Sequence, residues 1–231
     1  MKLKSFGCSF IHGSDLSDCP HTTDRNNLRP SDLSWPALIA KKYAMEYQCY
    51  ARPASGNLQI LETLLSNILH QEKDLYVIGW SWIDRLSYFS EKNVSKNHPW
   101  NPLGWTSILP CDDDLVSEIY YRHIHSQLRD KLESLIYIKT AIDELLRNDQ
   151  KFIMTCIDDL IWETEWHVTP AITNLQKYIR PYITDFQGKN FLDWSRDQGF
   201  KLSDNWHPLD SAHSAAADYI LPSVEKVLQE R

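Results

Sequence analysis

Two short stretches carry the residue types that nucleophilic catalysis requires. "GCSF" places Cys8 and Ser9 directly after an apolar run at 3–6, and "DNWH" places Asp204 three residues before His207. A serine hydroxyl becomes a nucleophile when a base takes its proton and a third group orients that base. An aspartate at this spacing can accept the imidazole Nδ1–H within one turn. We therefore interpret Ser9 as the nucleophile, His207 as the base and Asp204 as its orienter, with Cys8 as the alternative nucleophile.

The elements that must position these residues follow from the apolar pattern. Short apolar runs alternate with segments of helical periodicity, which is typical of a parallel sheet covered by helices on both faces. We predict an α/β three-layer sandwich with a mostly parallel sheet of about five strands, with strand one near the middle. The predicted strands are 3–6, 46–51, 75–78 and 152–157, and the predicted helices are 35–43, 58–68, 116–146 and 211–228.

Polar residues follow the carboxyl ends of these strands. Ser9 follows the first strand, Gly56 the second and Ser81 the third, and the loop at 158–170 follows the fourth. Sites in parallel α/β sheets lie beyond the carboxyl ends of the strands. We expect these segments to meet at one edge of the sheet.

Four short blocks follow one another along the chain. They are "GCSF" with Ser9, "ASGN" with Gly56 and Asn57, "IGWS" with Gly79 and Ser81, and "DNWH" with Asp204 and His207. In this order they resemble the blocks of the SGNH (GDSL-type) hydrolases, and the wording of the first block is similar to a divergent "GCSF" branch of that family. The resemblance spans almost the whole chain.

The resemblance implies a flavodoxin-like fold and a serine esterase or acyl hydrolase that works through an acyl-enzyme without metal or cofactor. It also implies an oxyanion hole built on the backbone N–H groups of Ser9 and Gly56. The third block of the family normally supplies an asparagine side chain, whereas this chain has Ser81. Asn57 and Ser81 are therefore both candidates for the third donor.

Aromatic residues concentrate near the predicted site. We expect one domain over 1–231, with an aromatic-rich, irregular insertion at about 84–114 that forms a wall beside Ser9. Trp80, Trp82 and Arg85 follow the third strand and are candidate substrate-binding residues. Aromatic rings stack against sugars and acyl chains, so these loops favour a small-molecule or carbohydrate ester, with a sugar O-acetyl group as one candidate.

Composition excludes several other classes. The net charge is −7 with no Lys/Arg run, which disfavours a nucleic-acid partner. No apolar stretch reaches the ~20 residues of a membrane span, and no signal peptide is recognisable, so we expect a cytoplasmic protein. The five cysteines have no paired spacing, which indicates reduced thiols and no zinc site. The sequence does not indicate an oligomeric state.

Two other functions stay open at this stage. The missing asparagine of the third block favours a non-catalytic glycan- or partner-binding protein on the same fold. The set of Ser9, Asp204 and His207 favours an enzyme instead. An acyltransferase would use the same residues with an acceptor other than water.

Overall fold

The computed structural model describes residues 1–19, 29–68, 72–90 and 104–229. Strands and helices alternate along most of the chain. The strands are β1 (Lys2–Gly7), β2 (Glu46–Cys49), β3 (Leu75–Trp80), β4 (Leu86–Phe89), β5 (Trp105–Ile108) and β6 (Lys151–Cys156). The helices are α1 (Ser9–His12), α2 (Trp35–Lys42), α3 (Asn57–Leu65), α4 (Leu115–His123), α5 (Gln127–Arg147), α6 (Pro170–Ile179), α7 (Phe191–Asp197) and α8 (Asp210–Gln229).

The central sheet is parallel and has the order β2-β1-β3-β6. The predicted α/β class and the inner position of the first strand are confirmed. Among the described residues the sheet has four strands rather than about five. Beyond β6, a parallel bridge joins Met154 to Ile183.

Helices cover both faces of the sheet because β3 is apolar on both sides. Leu75 and Val77 face a core shared with α1, α2 and α8, while Tyr76 and Ile78 face a core shared with α3, α5 and α6. All four side chains are fully buried. A strand buried on both faces is expected at the centre of a three-layer α/β sandwich.

The predicted helix over 116–146 is wrong in one respect, because the structure divides it into α4 and α5. The α4 helix ends at His123, and Ile124 leaves helical geometry with φ −121°. Ser126 then caps α5 by accepting a hydrogen bond from the backbone N–H of Arg129. A serine side chain can accept a hydrogen bond from a backbone N–H that a continuous helix would use. The capping bond of Ser126 therefore favours the start of a new helix at this point.

The predicted insertion at about 84–114 contains regular structure. β4 pairs with β5 in an antiparallel ladder, so the expectation of an irregular backbone is wrong for these two stretches. Ser87 and Ser107 face each other across the ladder with their Oγ atoms 2.7 Å apart. Trp105 Nε1 donates to Glu62 of α3 at 3.1 Å, which anchors the hairpin on that helix. Residues 91–103 lie outside the described residues.

Candidate active site

Ser9 stands at a close approach between α1 and the end of the sheet. β1 ends at Gly7, Cys8 is extended, and Ser9 begins α1. A Cβ on Gly7 would lie 2.6 Å from Ile11 Cγ1, and one on Gly79 would lie 2.5 Å from the same atom. Because neither glycine has a side chain, α1 can pack closely against the carboxyl ends of β1 and β3. Ser9 itself is 5% exposed.

The His207 imidazole lies between a hydroxyl and a carboxylate. Its Nε2 is 2.9 Å from Ser9 Oγ, and its Nδ1 is 2.7 Å from Asp15 Oδ2. With the proton on Nδ1, the ring donates to Asp15 and accepts from Ser9. The predicted hydrogen-bond reach between Ser9 and His207 is confirmed.

Asp15, rather than Asp204, orients the imidazole in this structure, which corrects the expectation from the sequence. Asp204 is exposed on a tight turn in which the N–H of Trp206 donates to the carbonyl of Ser203. Ser203 Oγ also accepts from the N–H of His207 at 3.2 Å. This turn fixes the His207 backbone and leaves the Asp204 side chain facing solvent.

The carboxylate of Asp15 is held by the same turn that carries His207. Ser203 Oγ donates to Asp15 Oδ2 at 2.7 Å, and Asn205 Nδ2 donates to it at 3.1 Å. Burial favours the neutral acid, but the hydrogen bonds from Ser203, His207 and Asn205 outweigh it and hold the pKa of Asp15 below its ordinary value. The group is therefore an anion at neutral pH and can stabilise an imidazolium.

Sequence reasoning missed Asp15, although it lies only six residues after Ser9. Its φ of +68° is unusual for a residue other than glycine, and aspartate is among the few that tolerate it. The only sequence signal is an aspartate in a Gly–Ser–Asp turn shortly after the serine block. Its spatial partner lies 192 residues further along the chain.

Two predicted oxyanion donors are engaged in structural hydrogen bonds. The N–H of Gly56 donates to Ser87 Oγ at 2.9 Å. Asn57 is 3% exposed, and its Oδ1 accepts from the N–H of Ser81 at 2.8 Å while its Nδ2 donates to Ser134 Oγ at 3.0 Å. The Asn57 amide therefore ties the end of β3 to α5.

Ser81 and Arg85 form a hydrogen-bonded pair in the loop after β3. Arg85 Nη1 donates to Ser81 Oγ at 3.1 Å. The guanidinium lies over the Trp82 ring, 4.4 Å from its centroid. Trp82 in turn packs edge-on against Phe10, and Phe10 packs edge-on against His207. This chain of contacts joins Arg85 to the His207 side of the site.

The candidate substrate-binding tryptophans differ in exposure. Trp80 is 1% exposed and belongs to the core beneath the sheet, so its proposed contact with substrate is wrong. It is the last residue of a fully buried strand. Trp82 is half-buried and lines a cavity of about 430 Å³. The polar lining of that cavity includes Asp159, Asn190, Asp193 and Arg196.

Two further histidines near His207 are buried and neutral. Burial lowers the pKa of His213 to about 3, and burial together with the nearby His207 lowers that of His12 to about 4. His213 Nδ1 accepts from the backbone N–H of Trp35 at 3.0 Å, which links α8 to the start of α2. His213 therefore has a structural role here.

The remaining alternatives for chemistry are restricted by position. Cys8, the alternative nucleophile, is 2% exposed and packs in the core that contains Leu3 and Val77. In the described ranges, His, Cys, Asp and Glu side chains form no group of three that could hold a metal ion. None of the described helices is both long and apolar enough to cross a bilayer.

Comparison with known proteins gives the fold and no closer relationship. No protein-family model matches the sequence, and no curated protein matches it. Several solved structures match along essentially the whole chain. A carbohydrate esterase, described as having an active site with divergent catalytic and non-catalytic binding functions, is 15% identical with a TM-score of 0.54, and the match covers 100% of this chain and 69% of that one.

Two other esterases match to a similar degree. The psychrotrophic esterase EstA from Pseudoalteromonas sp., inhibited by monoethylphosphonate, is 10% identical with a TM-score of 0.53 over 99% of both chains. A carbohydrate esterase family 2 enzyme from Corynascus thermopiles is 12% identical with a TM-score of 0.53, covering 99% of this chain and 67% of that one. The chain therefore has the three-layer α/β fold of these esterases.

Proposed function

We propose that this protein is a serine esterase of the SGNH hydrolase family in which Ser9, His207 and Asp15 form the catalytic triad. The observation that carries the proposal is the unbroken hydrogen-bond chain from Ser9 Oγ through His207 to Asp15, at 2.9 and 2.7 Å. The fold shared with several esterases supports it.

The geometry suits acyl transfer through a covalent intermediate. Ser9 Oγ attacks the ester carbonyl while its proton passes to His207 Nε2, and the carbonyl electron pair moves onto oxygen. Collapse of this tetrahedral species expels the alcohol, which takes the proton back from the imidazolium. Water then repeats the sequence on the acyl-enzyme and releases the acid. Asp15 stays ionised throughout and stabilises the imidazolium.

The cavity beside Trp82 favours a sugar as the carrier of the acyl group. Carboxylates, an amide and a guanidinium can hydrogen-bond to sugar hydroxyls, and an indole can stack on a sugar ring. The lining contains more acidic than basic side chains, with Asp158, Asp159, Glu163 and Asp193 against Arg196. This charge disfavours anionic carriers. The carbohydrate esterases among the structural neighbours agree with this choice.

A binding protein without turnover is the second candidate. The observation that favours it is the engagement of Gly56 and Asn57, which leaves the predicted oxyanion hole short of donors. Non-catalytic binding is also ascribed to the active site of one structural neighbour.

Labelling with a fluorophosphonate probe separates the two candidates. An activated serine reacts with the probe, so wild type should label and Ser9→Ala should not. Cys8→Ala is the matched control, because it changes the neighbouring nucleophile and should leave labelling intact. Absence of labelling in the folded wild type would contradict the esterase proposal and favour the binding protein.

The acyl group and its acceptor can be identified in the same series. We expect p-nitrophenyl acetate and acetylated sugars to be hydrolysed faster than long-chain esters. Acceptor alcohols added during turnover test for an acyltransferase, since a transferase would give a new ester in place of free acid. Preferential cleavage of long-chain esters would contradict the sugar assignment.

A further inference from the structure

We propose that the Arg85 guanidinium is the charged oxyanion donor of this site, in place of the asparagine side chain that the SGNH resemblance implies for the third block. The inference rests on the proposed esterase function. It assigns a role to a pair, Ser81 and Arg85, that the triad does not explain.

The register between β1 and β3 places Ser81, the partner of Arg85, at the same end of the sheet as Ser9. Gly7 of β1 is paired with Gly79 of β3. Ser9 and Ser81 each follow these paired glycines by two residues, and neighbouring strands lie about 5 Å apart. Both serines therefore stand at the same end of the sheet, and Ser81 occupies the position of the third-block donor.

The other candidate oxyanion donors already have hydrogen-bond partners, so the oxyanion hole lacks donors that a charged side chain could supply. The N–H of Gly56 is taken by Ser87 Oγ, and the Asn57 amide is taken by Ser81 and Ser134. The N–H of Ser9 remains as a backbone donor at the start of α1. A single neutral donor gives a weak oxyanion hole, because removal of one oxyanion donor in other enzymes lowers the rate roughly 10²–10³-fold.

Arg85 is held where it can supply the missing donors. Its backbone carbonyl lies against Gly56, 2.5 Å from where a Cβ would stand, so the second block contacts the loop after β3 at this residue. Its side chain is half-buried, bonded to Ser81 Oγ and stacked on Trp82. Within the part of the chain that the structure describes, no carboxylate forms an ion pair with this guanidinium.

The chemistry of a guanidinium fits this role. It has five N–H groups in a rigid fork, of which Ser81 takes one, and it stays charged at every working pH. When Ser9 Oγ bonds to the ester carbon, the negative charge appears on the former carbonyl oxygen. Arg85 donates to that oxygen, and hydrogen bonds between charged groups are roughly twice as strong as neutral ones. The donor is therefore matched to the transition state more than to the neutral ester.

The first test replaces the charge. Arg85→Met keeps a long apolar side chain over Trp82 and removes every donor, so kcat on p-nitrophenyl acetate should fall 10²–10³-fold while KM changes by less than about threefold. Arg85→Lys keeps the charge but loses the forked guanidinium, so its kcat should lie between those of wild type and Arg85→Met. Arg122→Met is the control, because Arg122 is an exposed arginine on α4 paired with Glu118, and it should retain wild-type turnover.

Rescue distinguishes a catalytic donor from a merely structural side chain. Guanidinium ion added at millimolar concentration should restore part of the turnover of Arg85→Met. Ser81→Asn in the Arg85→Met background should also restore part of it, since it introduces the amide donor that the SGNH resemblance implies at this position. The pH–rate midpoint should stay at its wild-type position in all of these variants.

Failure of this inference and failure of the esterase proposal give different results. If wild type does not label with a fluorophosphonate, the esterase proposal itself fails. If wild type labels and Arg85→Met turns over at the wild-type rate, the oxyanion assignment is overturned. A loss of turnover that follows a lowered melting temperature and is not rescued by guanidinium or by Arg85→Lys would also overturn it.

Discussion

His207 Nδ1 lies 2.7 Å from Asp15 Oδ2, a contact between two residues 192 positions apart in the chain. The aspartate lies in the loop after α1, and Ser9 is the first residue of that helix. The histidine comes from the turn that precedes α8. The proposed nucleophile and orienter therefore come from one short stretch of the chain, and the last part of the fold supplies the proposed base.

Replacement of Asp15 should separate the two possible orienters. Asp15→Asn keeps the shape but removes the charge that stabilises the imidazolium and selects the Nδ1–H tautomer. We expect kcat to fall by about 10²–10⁴ with little change in the melting temperature. Asp204→Asn is the matched control and should retain near wild-type kcat, because Asp204 faces solvent. Steady-state kinetics on p-nitrophenyl acetate gives both values, and the opposite ranking would return the role to Asp204.

Activity should require neutral His207. A protonated imidazole cannot accept the Ser9 proton, so kcat/KM should be lost as the pH falls from neutral into the acid range. The pKa of Asp15 lies below its ordinary value, so Asp15 remains ionised over that range. The pH–rate curve of wild type measures this loss. A profile flat from pH 5 to pH 8 would contradict general-base catalysis by a histidine.

The buried histidines predict loss of stability in mild acid. His12 and His213 stay neutral in the fold down to about pH 4 and about pH 3, whereas both titrate near ~6.5 in the unfolded chain. As the pH falls below about 6.5, the unfolded state binds protons that the folded state does not, so the free energy of unfolding decreases. Each residue should account for about 2 kcal/mol between pH 7 and pH 5.

Urea unfolding at the two pH values checks this prediction. His213→Gln should show a smaller fall between pH 7 and pH 5 than wild type, whatever its stability at pH 7. The comparison of pH dependences therefore separates the titration of His213 from the loss of its hydrogen bond to Trp35. Equal falls in both proteins would mean that His213 does not remain neutral in the fold.

The approach of α1 to β3 predicts a coupling between Gly79 and Ile11. Gly79→Ala should cost roughly 1–3 kcal/mol of stability, because its Cβ would lie 2.5 Å from Ile11 Cγ1. The same shift of α1 should move Ser9 and reduce kcat. Ile11→Ala makes room, so the double variant should be more stable than the sum of the two single effects predicts. Strict additivity in urea unfolding would show that the two residues are not in contact.

The fold was largely predictable from sequence because its signal is local. A fully buried strand such as β3 is recognisable by its apolar run, although the strand continues through Gly79 to Trp80, beyond the predicted range of 75–78. The helices α6 and α7 were not predicted. The strands β4 and β5 were missed because they form no continuous apolar run. They contain small polar residues, such as Ser87, whose side chains bond to neighbouring segments of the chain and do not face a large apolar core.

The site was only partly predictable because its partners are not local. Ser9 and His207 stand in recognisable blocks, and the structure brings them together. Asp204 was chosen on spacing within one turn, yet the hydrogen bonds of Ser203 direct the turn so that a distant aspartate takes its place. Likewise Gly56 loses its free N–H to Ser87, a residue whose proximity no local pattern shows.

The 198-residue separation between Ser9 and His207 also governs when the protein can first act during its synthesis. A ribosome adds about 5–20 residues per second, so Ser9 is made about 10–40 s before its base. Throughout that interval the hydroxyl has no proton acceptor at its Oγ and is chemically an ordinary serine. Under the proposed function, the nascent chain therefore cannot attack esters in its surroundings, and reactivity begins only when the turn before α8 has been made and docked against the first loop.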